Sequence, residues 1–218
     1  MNETSSAKPA AETAYESIRA KILSGDLEPG ARVTETALAE AVGLSRTPVR
    51  EAMGRLLMEG FLERGKGYST RVAGVSPEEL KPMFDVRVRL ESYAAGRAAR
   101  FATETEIAAL RSLADRMLAH TPPRTPEDLH IISTANEAFH RTIYTAARSP
   151  RLMALLSMAV DVGVVARTYY QYSEADLIRS ARHHAEITDA IAAHAPAWAE
   201  SIMTAHVEAA AAAAMGRA

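Results

Sequence analysis

Residues 45–60 read SRTPVREAMGRLLMEG, and the reading of this stretch decides the fold. Ser45 is a favourable helix N-cap, Pro48 is tolerated in the first turn, and Val49, Met53, Leu56 and Leu57 recur at helical spacing. Gly60 supplies the stop. The outward side of the first two turns carries Arg46, Thr47 and Arg50. A helix that is polar and basic at its N-terminal end suits a major groove. Arginine grips guanine O6 and N7 in bidentate fashion, while hydroxyls and free helix N–H groups hold phosphate. A lone helix of this kind is more often just a solvated surface helix, so its neighbours decide the matter.

Just before it, residues 33–45 read VTETALAEAVGLS. Ala37, Leu38 and Ala41 share one face of a short helix, and Gly43 turns the chain into the Ser45 cap, which is helix-turn-helix spacing. Just after it, FLERGKGYSTRV predicts two short strands at 61–64 and 68–72, joined by a Gly65-Lys66-Gly67 tip. The three pieces predict a winged helix-turn-helix over residues 11–74, with a first helix at 12–24 packing Tyr15, Ile18 and Ile22 beneath the motif and a flexible tail at 1–10.

The run from Tyr15 to Val72 closely resembles the DNA-binding domain of GntR-family transcriptional regulators. That resemblance implies operator contacts from Ser45, Arg46, Thr47, Arg50 and Gly67. Thr36 stands where many members carry an arginine. Net charge over the whole chain is −2, but residues 42–72 hold six basic side chains against three acidic ones. The positive excess sits where the motif needs it, with Lys66 and Arg71 on the wing as expected phosphate contacts.

At 218 residues and 48% apolar content, the chain is long enough for two cored domains. It has no cysteine, which rules out a disulfide framework or a thiolate metal site. No apolar run approaches a membrane span, and the polar start MNETSSAKPAAE lacks a secretory core, so a cytoplasmic protein is expected. Ser76 and Glu79, with Pro77 between them, read as a capping box opening a second domain at 76–214. No strand pattern follows. Helices are expected at 77–101, 105–119, 126–147, 150–171, 174–193 and 196–214, and their short connections favour a six-helix antiparallel bundle. The fold class is thus mainly α.

In this second half, polar residues lie where the helical period demands apolar ones. One stripe runs Leu129, Ile132, Asn136, His140, Ile143, Ala147; a second runs Leu177, Ala181, His184, Ile187, Ile191; a third runs Trp198, Ile202, His206, Ala209. A single such histidine is usually a satisfied core residue. Three of them together with Asn136 are harder to accommodate, since each unpaired buried polar group costs on the order of 1–3 kcal/mol. A shared divalent ion relieves that cost, and imidazole with oxygen suits zinc, nickel, iron or manganese. The other four histidines, His120, His130, His183 and His194, read as surface residues.

The segments FDVRVRLESYAAGRAA, NEAFHRTIYTAARSPRLMALL, HAEITDAI and MTAHV resemble the FadR-type C-terminal ligand-binding domain, the FCD type, and six helices point to its VanR-like branch. In metal-binding members the ligands are an Asp four residues before a His and two later histidines. His140, His184 and His206 match that pattern, and Asn136 occupies the Asp position. Arg87 matches the arginine that binds the effector carboxylate, with Glu91 one turn on as an ion-pair partner. The resulting expectation is a homodimeric regulator, a repressor, that binds palindromic double-stranded operator DNA and answers to a small carboxylate held at a metal ion. Two readings compete with it. One is a metal-dependent hydrolase of carboxylate substrates, which lacks a base on the three stripes. The other is a constitutive DNA binder with a structural metal site.

Overall fold

The computed structural model describes residues 9–65, 69–74, 77–160 and 162–216. The chain divides into two compact units, one of Met1–Val75 with Val162–Arg167 and the other of Ser76–Asp161 with Thr168–Ala218.

In the first unit, helix α1 (Ala10–Ser24) is followed by strand β1 (Arg32–Val33), helices α2 (Glu35–Val42) and α3 (Arg46–Met58), and strands β2 (Leu62–Arg64) and β3 (Thr70–Val72). The core is what the apolar spacing dictates: α1 packs on α3, and Ile18 and Ile22 of the first and Val49 and Leu56 of the second are all wholly buried. Thr34 caps α2 by accepting from the Ala37 N–H, and Gly43, at φ 68°, makes the left-handed turn toward α3. The buried face of α2 is Leu38 and Ala39, one step round from the Ala37, Leu38, Ala41 face expected, because alanines give little apolar contrast in so short a helix. A polar clasp ties α1 to the end of α3. Tyr15 donates to Glu59 (2.6 Å), and Arg55 donates to both Glu59 (2.8 Å) and Glu12 (2.9 Å) while lying over the Tyr15 ring.

The sheet has three strands in the order β1-β3-β2, all antiparallel, with Leu62 opposite Val72 and Val33 opposite Thr70. The hairpin expected from the sequence is present. The added edge strand, β1, is two residues long, too short to show alternation, and exists only through its pairing with β3. Lys66, Gly67, the start of the expected second strand at Tyr68, and the capping residue Ser76 lie outside the described residues, as do residues 1–8 of the expected tail.

The second unit is helical: α4 (Pro77–Phe101), α5 (Glu104–Ala119), α6 (Pro126–Ala146), α7 (Pro150–Ala159), α9 (Glu174–Ala192) and α10 (Pro196–Met215), with the C-terminal end of α8 (Val162–Gln171). Thr103, Thr125 and Ser173 each open a helix with a reciprocal capping box. Gly96 permits close packing of α4 on α10, since a Cβ there would overlap the Glu200 side chain.

Two details differ from the sequence reading. The helix expected over 150–171 is two helices, because Val160 leaves the helical region (φ −96°, ψ 101°) in a stretch, VDVGVV, of β-branched residues and glycine with weak helix propensity. Seven helices therefore follow the sheet among the described residues, and the helix count no longer favours the VanR-like branch. On α10 the buried face is Ala199, Met203, His206, Val207 and Ala210, while Trp198 is 40% exposed. The stripe is rotated by one residue because almost every position of this alanine-rich helix is apolar.

Candidate functional site

The first candidate surface is the start of α3. Ser45 holds the N-cap position with extended backbone but makes no side-chain capping bond, so the hydroxyl is not spent on the helix. Arg46, Thr47 and Arg50 are exposed beside it. Arg46 is held by Glu35 of α2 (3.2 Å), an exposed pair worth at most about 1 kcal/mol and readily exchanged for another anion. Other basic groups of the region are committed to the fold. Arg55 is in the α1 clasp, Arg64 bonds the Thr70 hydroxyl (3.2 Å), and Arg71 donates to the Gly30 carbonyl (2.9 Å).

The second candidate is inside the helical unit. The periods of α6, α9 and α10 bring His140, His184 and His206 together, each within 6% of full burial, with potential ligand nitrogens all within 4.8 Å of one another. Their ring centroids stand 4.5–5.7 Å apart, and the Phe139 edge closes on His184 at 4.8 Å. Asn136, one turn before His140, is 3% exposed. Its Oδ1 accepts from the Tyr169 hydroxyl (3.0 Å) and lies 2.9 Å from His184 Nε2, and Tyr169 in turn meets Ser180 Oγ (2.8 Å).

Burial first, then the neighbouring His140, pushes the His184 pKa well below the ordinary histidine value; burial, then His184 and His140, does the same to His206. Both imidazoles are therefore neutral at physiological pH, which is the state a metal ligand requires. The Nδ1 atoms of His140, His184 and His206 are buried without an aligned hydrogen bond; that of His184 faces the Ser180 carbonyl and that of His140 faces Glu91. Three imidazoles converging with an amide oxygen suit a divalent cation. The 2.9 Å between His184 Nε2 and Asn136 Oδ1 also suits neighbouring ligands of one ion, whose bonds run about 2.0–2.1 Å.

Two further features complete the site. Arg87 and Glu91 on α4 form a buried pair (Nε to Oε1, 2.8 Å), 5% and 0% exposed. The other carboxylate oxygen, Oε2, accepts from the Tyr144 hydroxyl (2.8 Å) and lies 2.7 Å from His140 Nδ1, although the ring N–H is off the line of a hydrogen bond. Burial alone would raise the Glu91 carboxyl, but Arg87, His140 and Tyr144 outweigh it and hold the group well below the usual carboxylate range. The sequence reading missed Tyr144, although it falls on the same i+4 row as Asn136 and His140. It also placed His183 on the surface. The structure has it half-buried, its ring centroid 5.9 Å from that of His206 and its Nδ1 enclosed, because the residue before a core position still borders the core. His120 pairs with Asp128 (2.7 Å), and exposed His194 meets the Ala99 carbonyl (3.0 Å), both away from this site.

Comparison with known proteins gives matches to both units. Residues 10–72 match the model of bacterial regulatory proteins of the gntR family, and residues 82–209 match the FCD domain. The probable D-xylose utilization operon transcriptional repressor of Paenarthrobacter nicotinovorans is 30% identical, over 87% of this chain and 81% of that one. The gluconate operon transcriptional repressor of Bacillus subtilis (strain 168) is 30% identical over 65% of this chain and 56% of that one. Among solved structures, E. coli McbR/YncC superposes with a TM-score of 0.64 at 23% identity, covering 92% of this chain and 94% of that chain, which is a likeness of fold.

Proposed function

Since the chain belongs to the GntR family of bacterial regulatory proteins and carries the FCD domain over residues 82–209, we propose that its two units divide one task, operator binding by residues 11–74 and ligand sensing by residues 76–214. It is a ligand-responsive DNA-binding regulator of transcription, and its family are regulators rather than enzymes, so the hydrolase reading falls. In the proposed arrangement Ser45, Arg46, Thr47 and Arg50 enter the major groove, Lys66 and Gly67 of the wing contact the backbone, and a homodimer reads a palindromic operator, as a repressor. Such a protein works in the cytoplasm, where the DNA is.

The observation that carries the sensing half is the buried cluster of His140, His184 and His206 against Asn136. A divalent ion held there by neutral groups keeps its full charge, and a small organic acid is drawn to its open positions. Arg87, paired through Nε with Glu91, would hold the acid's far end with its guanidinium. A relative named for the gluconate operon fits an acid effector.

The test is metal analysis of the purified protein with a thermal-shift screen of small mono- and dicarboxylates. His184→Ala is expected to abolish metal uptake in calorimetric titration and, with it, the carboxylate-dependent rise in melting temperature. An unchanged carboxylate response in that variant would leave a metal-free pocket as the better account. For the DNA half, Arg50→Ala is expected to weaken operator binding by about 1–3 kcal/mol. Arg46→Ala should cost somewhat less, because Arg46 must first leave Glu35. Titration at fixed salt reads both, and equal affinity for wild type and both variants would remove α3 from the groove.

A further inference from the structure

Of the carboxylates among the described residues, Glu91 is the buried one, and it sits beside the histidines rather than among them. Pairing with Arg87 occupies Oε1 alone. Its second oxygen, Oε2, is turned to α6, where it receives the Tyr144 hydroxyl at 2.8 Å and faces His140 Nδ1 at 2.7 Å. The side of the Glu91 carboxylate not paired with Arg87 thus faces His140 of the cluster. A proton on His140 Nδ1 facing that oxygen leaves Nε2 as the ring's free lone pair, the arrangement by which outer carboxylates orient imidazole ligands and raise their basicity.

The need for such a group follows from the ligand set. Three imidazoles and the Asn136 amide bring no charge to a divalent ion among buried side chains, where an uncompensated ion is costly. We propose that Glu91 is the counter-charge of this site, a positioning residue that acts on the ion through His140 and does from one shell out what a carboxylate at position 136 would do directly. The proposal rests on the metal reading above and extends it to a residue that touches no ion itself.

Zn²⁺ titration of chelator-stripped protein, against a competing chelator, tests it. Glu91→Gln is expected to lower Zn²⁺ affinity by about 10–100-fold. That variant leaves Arg87 buried and unpaired, so Arg87→Gln/Glu91→Gln, in which both charges go together, carries the test if the single variant fails to fold, and far-UV circular dichroism monitors both. The diagnostic readout is rescue. Adding Asn136→Asp to the double variant should restore Zn²⁺ affinity by about tenfold or more, and by a larger factor than the same change gives in wild type. A merely structural Glu91 predicts no such difference. Folded Arg87→Gln/Glu91→Gln protein that binds Zn²⁺ like wild type would overturn the assignment while leaving the histidine site standing. Wild-type protein that takes up no Zn²⁺ would overturn the metal reading and this assignment with it.

Discussion

Arg87→Ala is expected to destabilise the protein by about 3–5 kcal/mol, the cost of breaking a buried ion pair from one side. The guanidinium is 5% exposed and the Glu91 carboxylate is wholly buried, so removing Arg87 strands a charge that water cannot reach. Tyr144 and His140 still face Oε2, but Oε1 loses its donor. The comparison that isolates this cause is Arg87→Met/Glu91→Leu. Replacing both charges by apolar groups removes the desolvation penalty along with the attraction and should cost far less than the single change, or nothing. Urea denaturation followed by circular dichroism measures both. Equal losses in the single and double variants would mean that Arg87 stabilises through its packed stem and not through Glu91. The single variant's deficit should also shrink in acid. In wild type the Glu91 carboxyl is held low, so its contribution is present above its ordinary value of 4.5 and is lost as pH falls through the depressed one. Without Arg87, burial meets less opposition, the carboxyl rises, and protonation relieves the strain at a higher pH.

What could be read from the sequence is what local chemistry determines. The polar start of α3, the turn at Gly43 and the glycine-tipped hairpin are each specified within a few residues, and the helical period alone places Asn136 and His140 on the buried row of α6 and His184 on that of α9. The signal fades where contrast does. On α10 a run of alanines leaves the phase of the stripe open, so the helical period points Trp198 inward although it is exposed and donates to Glu186 (3.1 Å). At Val160 the competing preferences of valine, aspartate and glycine break a helix that its flanks would continue. Glu91 was legible as the i+4 partner of Arg87, but its second role depends on α4 lying beside α6, and no period within α4 encodes that. The same holds for Tyr169, which reaches Asn136 from 33 residues away. Neighbours on one helix are written in the sequence, whereas neighbours across helices are a property of the packing.

Stability of the metal-free protein is expected to fall steeply as pH drops below about 6.5, at a rate approaching 2.7 kcal/mol per pH unit. His184 and His206 have folded-state pKa values well below 6.5, the first through burial and His140, the second through burial and its two neighbouring imidazoles. Below 6.5 the unfolded chain takes up protons at these two positions while the folded one does not. Each contributes about 1.4 kcal/mol per pH unit in favour of unfolding, until the depressed pKa is reached and the folded state protonates too. Carboxylates such as Glu91 add to the loss only further down, below 4.5. Urea midpoints in a chelator at pH 7.5, 6.5 and 5.5 measure the slope, and His206→Gln should roughly halve it. Zn²⁺ moves the transition to lower pH if the histidines hold it, because protons then have to displace the ion as well as enter the core. A flat profile between pH 7.5 and 5.5 would mean that His184 and His206 charge freely inside the folded protein, which is incompatible with two enclosed rings that burial keeps neutral.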